Sequence, residues 1–305
     1  YATLAANSHN TQAWRFRLGP GGIDIEPDFS RRTPVVDPDD HHLWASLGCA
    51  VENLLIAASA NDRPLELIAT DGRMQTRFGG PAHPHASLAG AIPLRQSTRA
   101  EFDGRTVPTA SLRALADAAR MPGVDVALVT ERREIAQLTE LVVAGNHHQL
   151  HDPAYLRELR HWLRFSPADA LRLGDGLFSA TTGNPVVPGW LGTKLFDLLF
   201  DPAAEDDKLA AQMVSSSGIA IFVGARADPQ HWVLVGQACQ RFALQATALN
   251  MRCSFVNQPV EVLQLRAGVA RIAGKVGQRP DLILRFGYGP AMPYSARRPV
   301  ADVIA

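Results

Sequence analysis

A mixed fold in which helices alternate with short strands is what this sequence predicts, and three observations carry it. His41–Ala60 is long and apolar nearly all round, the pattern of a buried central helix, and Pro229–Asn250 reads as a second long buried helix. Short runs rich in Val, Ile and Phe, bounded by Gly, Pro, Asn and Asp, have strand composition. No G-x-G-x-x-G occurs, so a dinucleotide is not held in a Rossmann crevice, and G-x-x-x-x-G-K-[ST] and G-x-S-x-G are missing as well.

Taken in order, Trp14–Leu18 and Ile23–Pro27 form a predicted hairpin around the turn Gly19-Pro20-Gly21-Gly22. His41–Ala60 follows as a central helix, then strands at Leu65–Thr70 and Met74–Phe78 and a loop over 79–94. Helices are predicted at Thr109–Arg120, Arg132–Asn146 and Asp152–Phe165, with a strand at Val124–Thr130. Residues 166–204 mix glycine and proline with Phe178, Trp190, Phe196 and Phe200, which suggests an irregular packed lid rather than a linker. Then come a helix at Glu205–Val214, a strand at Gly218–Ala225, the helix Pro229–Asn250 and a strand at Arg252–Asn257. A helix at Val260–Ala273, a strand at Asp281–Gly287 and an extended tail over Tyr288–Ala305 complete the chain. Each half has a long buried helix followed by a strand, with a fresh start near Arg95, which suggests a duplicated unit.

The formal net charge is +0 over 305 residues, so no global field gathers nucleic acid or an anionic membrane, and any anion site is local. Three cysteines, Cys49, Cys239 and Cys253, give no disulfide framework and no C-x-x-C pair. No apolar run is expected to reach the roughly 18 residues of a membrane span. The chain opens at Tyr1 without a methionine, so a preceding segment, a tag or an export signal, is expected.

Four clusters carry candidate chemistry. Arg95-x-Ser97-x-Arg99 offers two guanidiniums and a hydroxyl to a terminal phosphate, although Thr98-x-x-Glu101 equally fits a capping box. Arg297-Arg298-Pro299 gains meaning if the tail folds back beside Arg95 and Arg99; otherwise it is a solvated terminus. The polar run Ser8-His9-Asn10-Thr11-Gln12 enters a strand at Trp14 and fits either an amide pair for a heteroaromatic edge or a capping turn. Cys253-Ser254-Phe255-Val256-Asn257 is either a backbone facing a ring or a half-buried strand with a cysteine filler. His147 and His151 share a helical spacing but lack the rest of H-E-x-x-H, so they are read as capping or solvated and no metal is expected.

Together these residues resemble the nitroreductase superfamily of FMN proteins, in particular its single-chain, Acg-like branch. Ala6 to Trp14 is similar to the family's P-S-x-x-N-x-Q-P-W segment, with Asn10, Gln12 and Trp14 in place and Ala6-Asn7 and Ala13 departing from it. Arg95-Gln96-Ser97-Thr98-Arg99 resembles the R-x-S-x-R/K phosphate motif, Gly236 to Ala248 the penultimate helix, and Asp281 to Val303 the closing strand and basic tail. In ordinary members the arginine motif precedes the N-x-Q-P-W segment, and here the order is reversed. The resemblance therefore implies an α+β nitroreductase-like fold arranged as a tandem pseudo-dimer. Residues 1–94 would be the first half and 95–305 the second, with a lid-like insertion at about 166–204.

The same resemblance implies one FMN per chain. Arg95, Ser97, Arg99, Arg297 and Arg298 would stand around the phosphate and ribityl chain; Ser8, His9, Asn10 and Gln12 at the ring edge; Cys253, Ser254 and Asn257 on the N5 side. Two-electron transfer from NAD(P)H to a nitroaromatic or quinone is the implied activity, with flavin storage under a lid as the alternative. The pseudo-dimer would be a monomer or weak homo-oligomer, cytoplasmic, or periplasmic behind a twin-arginine signal.

Overall fold

The computed structural model describes residues 1–69 and 72–305, the side chains of residues 69, 193, 195, 197 and 199 aside. The first strands, β1 (Trp14–Gly19) and β2 (Gly22–Pro27), pair antiparallel from Trp14↔Pro27 to Gly19↔Gly22, as the turn residues predict. Helix α1 (His41–Ala60) leads to a second hairpin, β3 (Leu65–Ala69) with β4 (Gln75–Phe78). Thr70, at the end of the expected first strand, lies outside the described residues. A Cβ at Gly22 would stand 2.0 Å from the Thr76 carbonyl oxygen, so only glycine lets the two hairpins touch.

Residues 86–94 form a 3-10 stretch where a loop was expected. Helix α2 (Thr109–Ala118), strand β5 (Val124–Val129), α3 (Arg132–Leu150) and α4 (Pro153–Trp162) follow. The two-residue strands β6 (Leu163–Arg164) and β7 (Leu177–Phe178) flank α5 (Pro167–Leu173). Next come α6 (Gly189–Leu199), α7 (Pro202–Val214), β8 (Gly218–Gly224) and α8 (Pro229–Ala248). The chain ends with β9 (Arg252–Phe255), α9 (Gln258–Glu261), α10 (Arg266–Ile272) and β10 (Leu282–Gly287).

Two expectations change. The 166–204 stretch is largely helical rather than irregular, because Ser166-Pro167 and Asp201-Pro202 each supply a capping oxygen followed by a proline at the first turn. The single helix expected over Val260–Ala273 is broken at Val262, whose extended backbone (φ −90°, ψ 106°) separates α9 from α10.

Strands β5-β8-β10-β9 make one antiparallel sheet, drawn entirely from residues 124–287. Every residue of β8 is buried, and its alternation decides the layers. Ala220 and Phe222 face α8, where Phe242 meets Phe222 and Phe286 edge to face. Ile219, Ile221 and Val223 face Ile135 and Leu138 of α3 and Met213 of α7. Helix α1 lies on the far side of α8, and the two cross at glycines. A Cβ on Gly48 would come 2.1 Å from the Val233 oxygen, and one on Gly236 1.9 Å from that of Ala45. At the same crossing the buried Glu52 accepts from Gln237 Nε2 at 3.0 Å and pairs with Arg241 at 2.5 Å and His83 at 3.2 Å. Helix α1 is long and apolar enough to cross a membrane by length and composition, against the sequence expectation, but most of it is buried between these layers.

The tail runs back across the molecule. Phe16 N donates to Val303 O (2.7 Å) and Ala305 N to Phe16 O (2.8 Å), so the end of the chain lies along the first strand.

Candidate functional site

The loop before β1 holds three non-glycine residues in left-handed backbone: His9 (φ 46°), Asn10 (φ 52°) and Gln12 (φ 52°). Such conformations cost on the order of 1–3 kcal/mol each and persist only where surroundings hold them. Here the surroundings are explicit. Asn7 Oδ1 accepts from Gln12 N at 2.9 Å, and Ser8 N donates to Ser46 Oγ of α1 at 3.2 Å. Asn10 Nδ2 donates to the carbonyls of Gly176 and Ala296, both at 3.0 Å, while its Oδ1 accepts from Arg297 Nη1 at 2.8 Å. Gln12, fully buried, donates to Gly174 O at 2.8 Å and accepts from Arg298 N at 2.9 Å. Both amides thus join the loop to the β6–β7 segment and to the tail.

Beside this loop the arginine motif runs along β9. Ser97 bridges Cys253 in parallel, and Thr98 N donates to Cys253 O at 2.8 Å. Gln96 fastens the tail to the same segment through Met292 N (2.8 Å) and Met292 O (2.7 Å). The four predicted stretches, 8–12, 95–99, 253–257 and 297–298, therefore meet in one region.

What distinguishes that region is positive charge without counter-charge. Arg95 is 7% exposed and, among the described residues, donates only to Leu4 O (3.4 Å) and leaves its Nε without a hydrogen-bond partner. The groups that act on its charge are the three thiols and the Tyr294 phenol, and burial pushes its pKa down. Arg297, partly exposed, donates to Thr3 O at 3.0 Å and Ala5 O at 3.3 Å. Burial first, then Arg95, bring it down to about 9. Arg99 is also pushed down by burial and stands beside Tyr155. Arg285, fully buried in β10, donates to Gln212 O (3.0 Å), Thr98 O (2.9 Å) and Ala100 O (2.8 Å), and fixes the backbone of the motif. It lies 4.2 Å over the Phe102 ring, and burial, ahead of Arg99, lowers it to about 9. Among the described residues none of the four makes an ion pair with a carboxylate. A buried guanidinium without an anion carries a desolvation penalty of several kcal/mol, which a bound dianion offsets.

The remaining predicted residues are placed as follows. Ser8 Oγ lies 3.2 Å from His9 Nδ1, and burial, with Arg99 and His42 adding to it against Glu261, lowers His9 to about 4. Cys253 and Ser254 are buried, and burial raises the Cys253 thiol to about 12. Asn257 spends its Oδ1 on Ile283 N at 2.8 Å, which ties the turn after β9 to β10. Arg298 faces away from Arg297, toward Gln12 O (3.4 Å) and Asp302 O (2.8 Å), so the two do not converge on one ligand. His147 pairs with Asp206 at 3.0 Å, and His151 Nδ1 lies 2.8 Å from the His147 carbonyl. Asp37, Asp39 and His41 also lie close together, but both Asp37 oxygens accept backbone N–H groups of α1, from His42 at 3.1 Å and Leu43 at 2.9 Å.

Sequence reasoning missed several members. Arg285 was signalled by a cation in the middle of an apolar strand. Glu261, which holds His42 at 3.2 Å and Gln149 Nε2 at 2.6 Å, and Tyr155 gave no local signal. These last residues line a cleft of about 240 Å³ between Val35-Val36, the end of α3 and α9.

No model of a known protein family matches the chain. Two curated proteins of Mycobacterium tuberculosis, from strains CDC 1551 / Oshkosh and ATCC 25618 / H37Rv, are each named "Putative NAD(P)H nitroreductase". Each is 25% identical over 324 aligned positions, covering 99% of this chain and 88% of the relative. Among solved structures, the FMN-dependent nitroreductase NfnB of Mycobacterium smegmatis, in complex with NADPH, overlaps 72% of this chain and 97% of its own. The TM-score is 0.47 and the identity 15%. An FMN and NADPH-dependent NfnB from sphigopyxis sp. strain HMH overlaps 72% and 97%, with TM-score 0.46 and 19% identity. Along nearly its whole length the chain is similar to these two mycobacterial proteins, and that similarity supports the nitroreductase superfamily.

Proposed function

We propose that the chain binds one FMN at the meeting of residues 1–94 and 95–305, the two halves of a pseudo-dimer. With it the protein passes two electrons from NAD(P)H to an electron-poor small molecule such as a nitroaromatic or quinone. The observation that carries this reading is Arg95 and Arg297, two guanidiniums near enough for the charge of Arg95 to depress Arg297, with an orphaned Arg95 Nε and, among the described residues, no carboxylate paired to either. A terminal phosphate is a dianion with oxygens enough for both, and bidentate charge-assisted bonds are what guanidiniums offer it.

Arg95, Arg297 and Ser97 hold the phosphate in this reading, and Arg99, nearer His9, stands toward the ring. A cation there favours a reduced, anionic ring. The strained backbone of residues 8–12 and the edge of β9 line the ring, with Ser8, His9, Cys253 and Ser254. Asn10, Gln12, Asn257 and Arg298, whose polar atoms are spent within the protein, act by holding those backbones in place. When bound, FMN supplies hydride uptake from NAD(P)H and hydride release to the acceptor, so no protein acid or base is obligatory. A single ring serving both substrates in turn gives ping-pong kinetics.

One observation favours the storage alternative. The β6–β7 segment is hydrogen-bonded directly to the ring-facing loop, at Gly174 and Gly176, and would hinder a nicotinamide from stacking. The visible absorption spectrum of the purified protein, taken anaerobically before and after NADPH and NADH, separates the readings. A yellow protein that bleaches within seconds is an oxidoreductase, and one that stays yellow is a flavin store. Colourless protein that takes up no added FMN overturns both.

A further inference from the structure

We propose that Tyr155 donates the hydrogen bond that receives the reducible oxygen of the acceptor, a quinone carbonyl or a nitro oxygen, entering by the cleft between Val35-Val36 and α9. The inference rests on the oxidoreductase reading and adds to it a protein group that touches the acceptor. Tyr155 lies on α4 and lines the cleft together with Glu261 and Gln149, and Arg99, outside the lining, is near enough to act on it electrostatically.

The polar groups around this cleft are not equally available. Glu261 is committed to His42 (3.2 Å) and Gln149 Nε2 (2.6 Å). Asp152 caps α4 by accepting from Ala154 N at 2.8 Å. Glu158 accepts from the backbone of Val35 (2.9 Å) and Val36 (3.0 Å) and so holds the cleft's outer wall. The acceptors are therefore mostly satisfied, apart from the Gln149 carbonyl oxygen. The Tyr155 hydroxyl and the Arg99 guanidinium have no hydrogen-bond partner among the described residues. The unpartnered Tyr155 hydroxyl selects a ligand that brings an oxygen acceptor to this cleft, and the Val35, Val36, Val262 and Leu263 walls suit an aromatic ring.

The chemistry balances with this role. A quinone takes one hydride and one proton to become the hydroquinone; a nitro group takes the same pair to become nitroso and water. Negative charge builds on the acceptor oxygen as the hydride arrives from the reduced cofactor, and a fixed donor there lowers the barrier. Burial, then Glu261, push the Tyr155 phenol up, so it keeps its proton and donates a hydrogen bond; the proton consumed comes from water in the cleft.

The test compares wild type with Tyr155→Phe. In photochemically reduced protein, reoxidation by 1,4-naphthoquinone is expected to slow about 10- to 100-fold, as for one lost hydrogen bond to developing charge. Reoxidation by ferricyanide, which needs no such bond, is expected to stay within about twofold. Independently of turnover, the infrared carbonyl band of naphthoquinone bound to oxidised protein is expected to lie lower in wild type than in the variant. Equal quinone rates and equal carbonyl bands overturn the assignment, as does an equal loss with ferricyanide, which marks a structural role. Protein without flavin defeats the oxidoreductase reading instead, and the carbonyl comparison still decides the Tyr155 contact. Should Tyr155→Phe not fold, Leu263→Trp at the exposed rim is expected to raise the naphthoquinone KM and leave ferricyanide unchanged; no change in KM overturns the proposed entry.

Discussion

Replacing Arg95 by Met should act with opposite sign on the empty and the FMN-loaded protein. In the empty protein Arg95 is a buried cation whose single hydrogen bond among the described residues is a 3.4 Å bond to Leu4 O and whose Nε is unsatisfied. Losing that contact costs about 1 kcal/mol, and removing an uncompensated buried charge returns a few kcal/mol of desolvation. Methionine fills similar space among Cys49, Cys239 and Cys253. The net expectation is a gain of about 1–3 kcal/mol, read as a higher urea midpoint at unchanged m-value. In the loaded protein the same change removes two guanidinium–phosphate hydrogen bonds worth about 1.5–3 kcal/mol each. FMN affinity should then fall about 10²- to 10⁴-fold, measured by quenching of flavin fluorescence. A less stable empty Arg95→Met protein that still binds FMN within about threefold of wild type would refute the reasoning, because Arg95 would then be a packing residue.

Two further outcomes follow from the same structure. His41, at the start of α1, is raised to about 9: burial opposes its charge, but Asp37 and Asp39 outweigh burial and the nearby Arg279. A raised histidine contributes stability that is complete below its unfolded value near 6.5 and is lost as pH climbs through 9, a loss of about 3 kcal/mol. Urea unfolding between pH 6 and 10 should show that decline, and His41→Gln should flatten it. At the helix crossing, Gly236→Ala places a Cβ 1.9 Å from the Ala45 oxygen, an overlap with backbone that no rotamer relieves. It should cost about 3 kcal/mol or more, and an unchanged thermal midpoint would mean that the helices separate freely.

How legible the chain was depended on whether the signal was local. The hairpin around Gly19 to Gly22 and the helix His41–Ala60 appear in the structure where periodicity and turn residues placed them. Helix α7 appears where a helix over Glu205–Val214 was predicted, starting three residues earlier at Asp201-Pro202, whereas the equally legible Ser166-Pro167 start of α5 was outweighed by the aromatic composition of residues 166–204. The break at Val262 had no such cue, since apolar residues on both sides keep a helical spacing; in the structure α9 packs closely on α3, where a Cβ at Gly145 would lie 2.8 Å from the Gln258 backbone. Among the site residues, the type and spacing of Arg95, Ser97 and Arg99 fitted an anion as well as a capping box. Nothing in Asn10 or Gln12 announced that their amides would be consumed by carbonyls of residues 174, 176 and 296.

The sequence by itself determined which segments bury a face and which side chains are suited to phosphate, because both depend on residue type and on neighbours a few positions away. Only the tertiary structure decided which arginines have lost their water without gaining a carboxylate. Arg297 and Arg298 are adjacent in the chain, yet one lies within the electrostatic reach of Arg95 and the other turns toward Asp302. Solvation and pairing are set by groups hundreds of positions apart, and an unpaired charge is a property of the assembled fold.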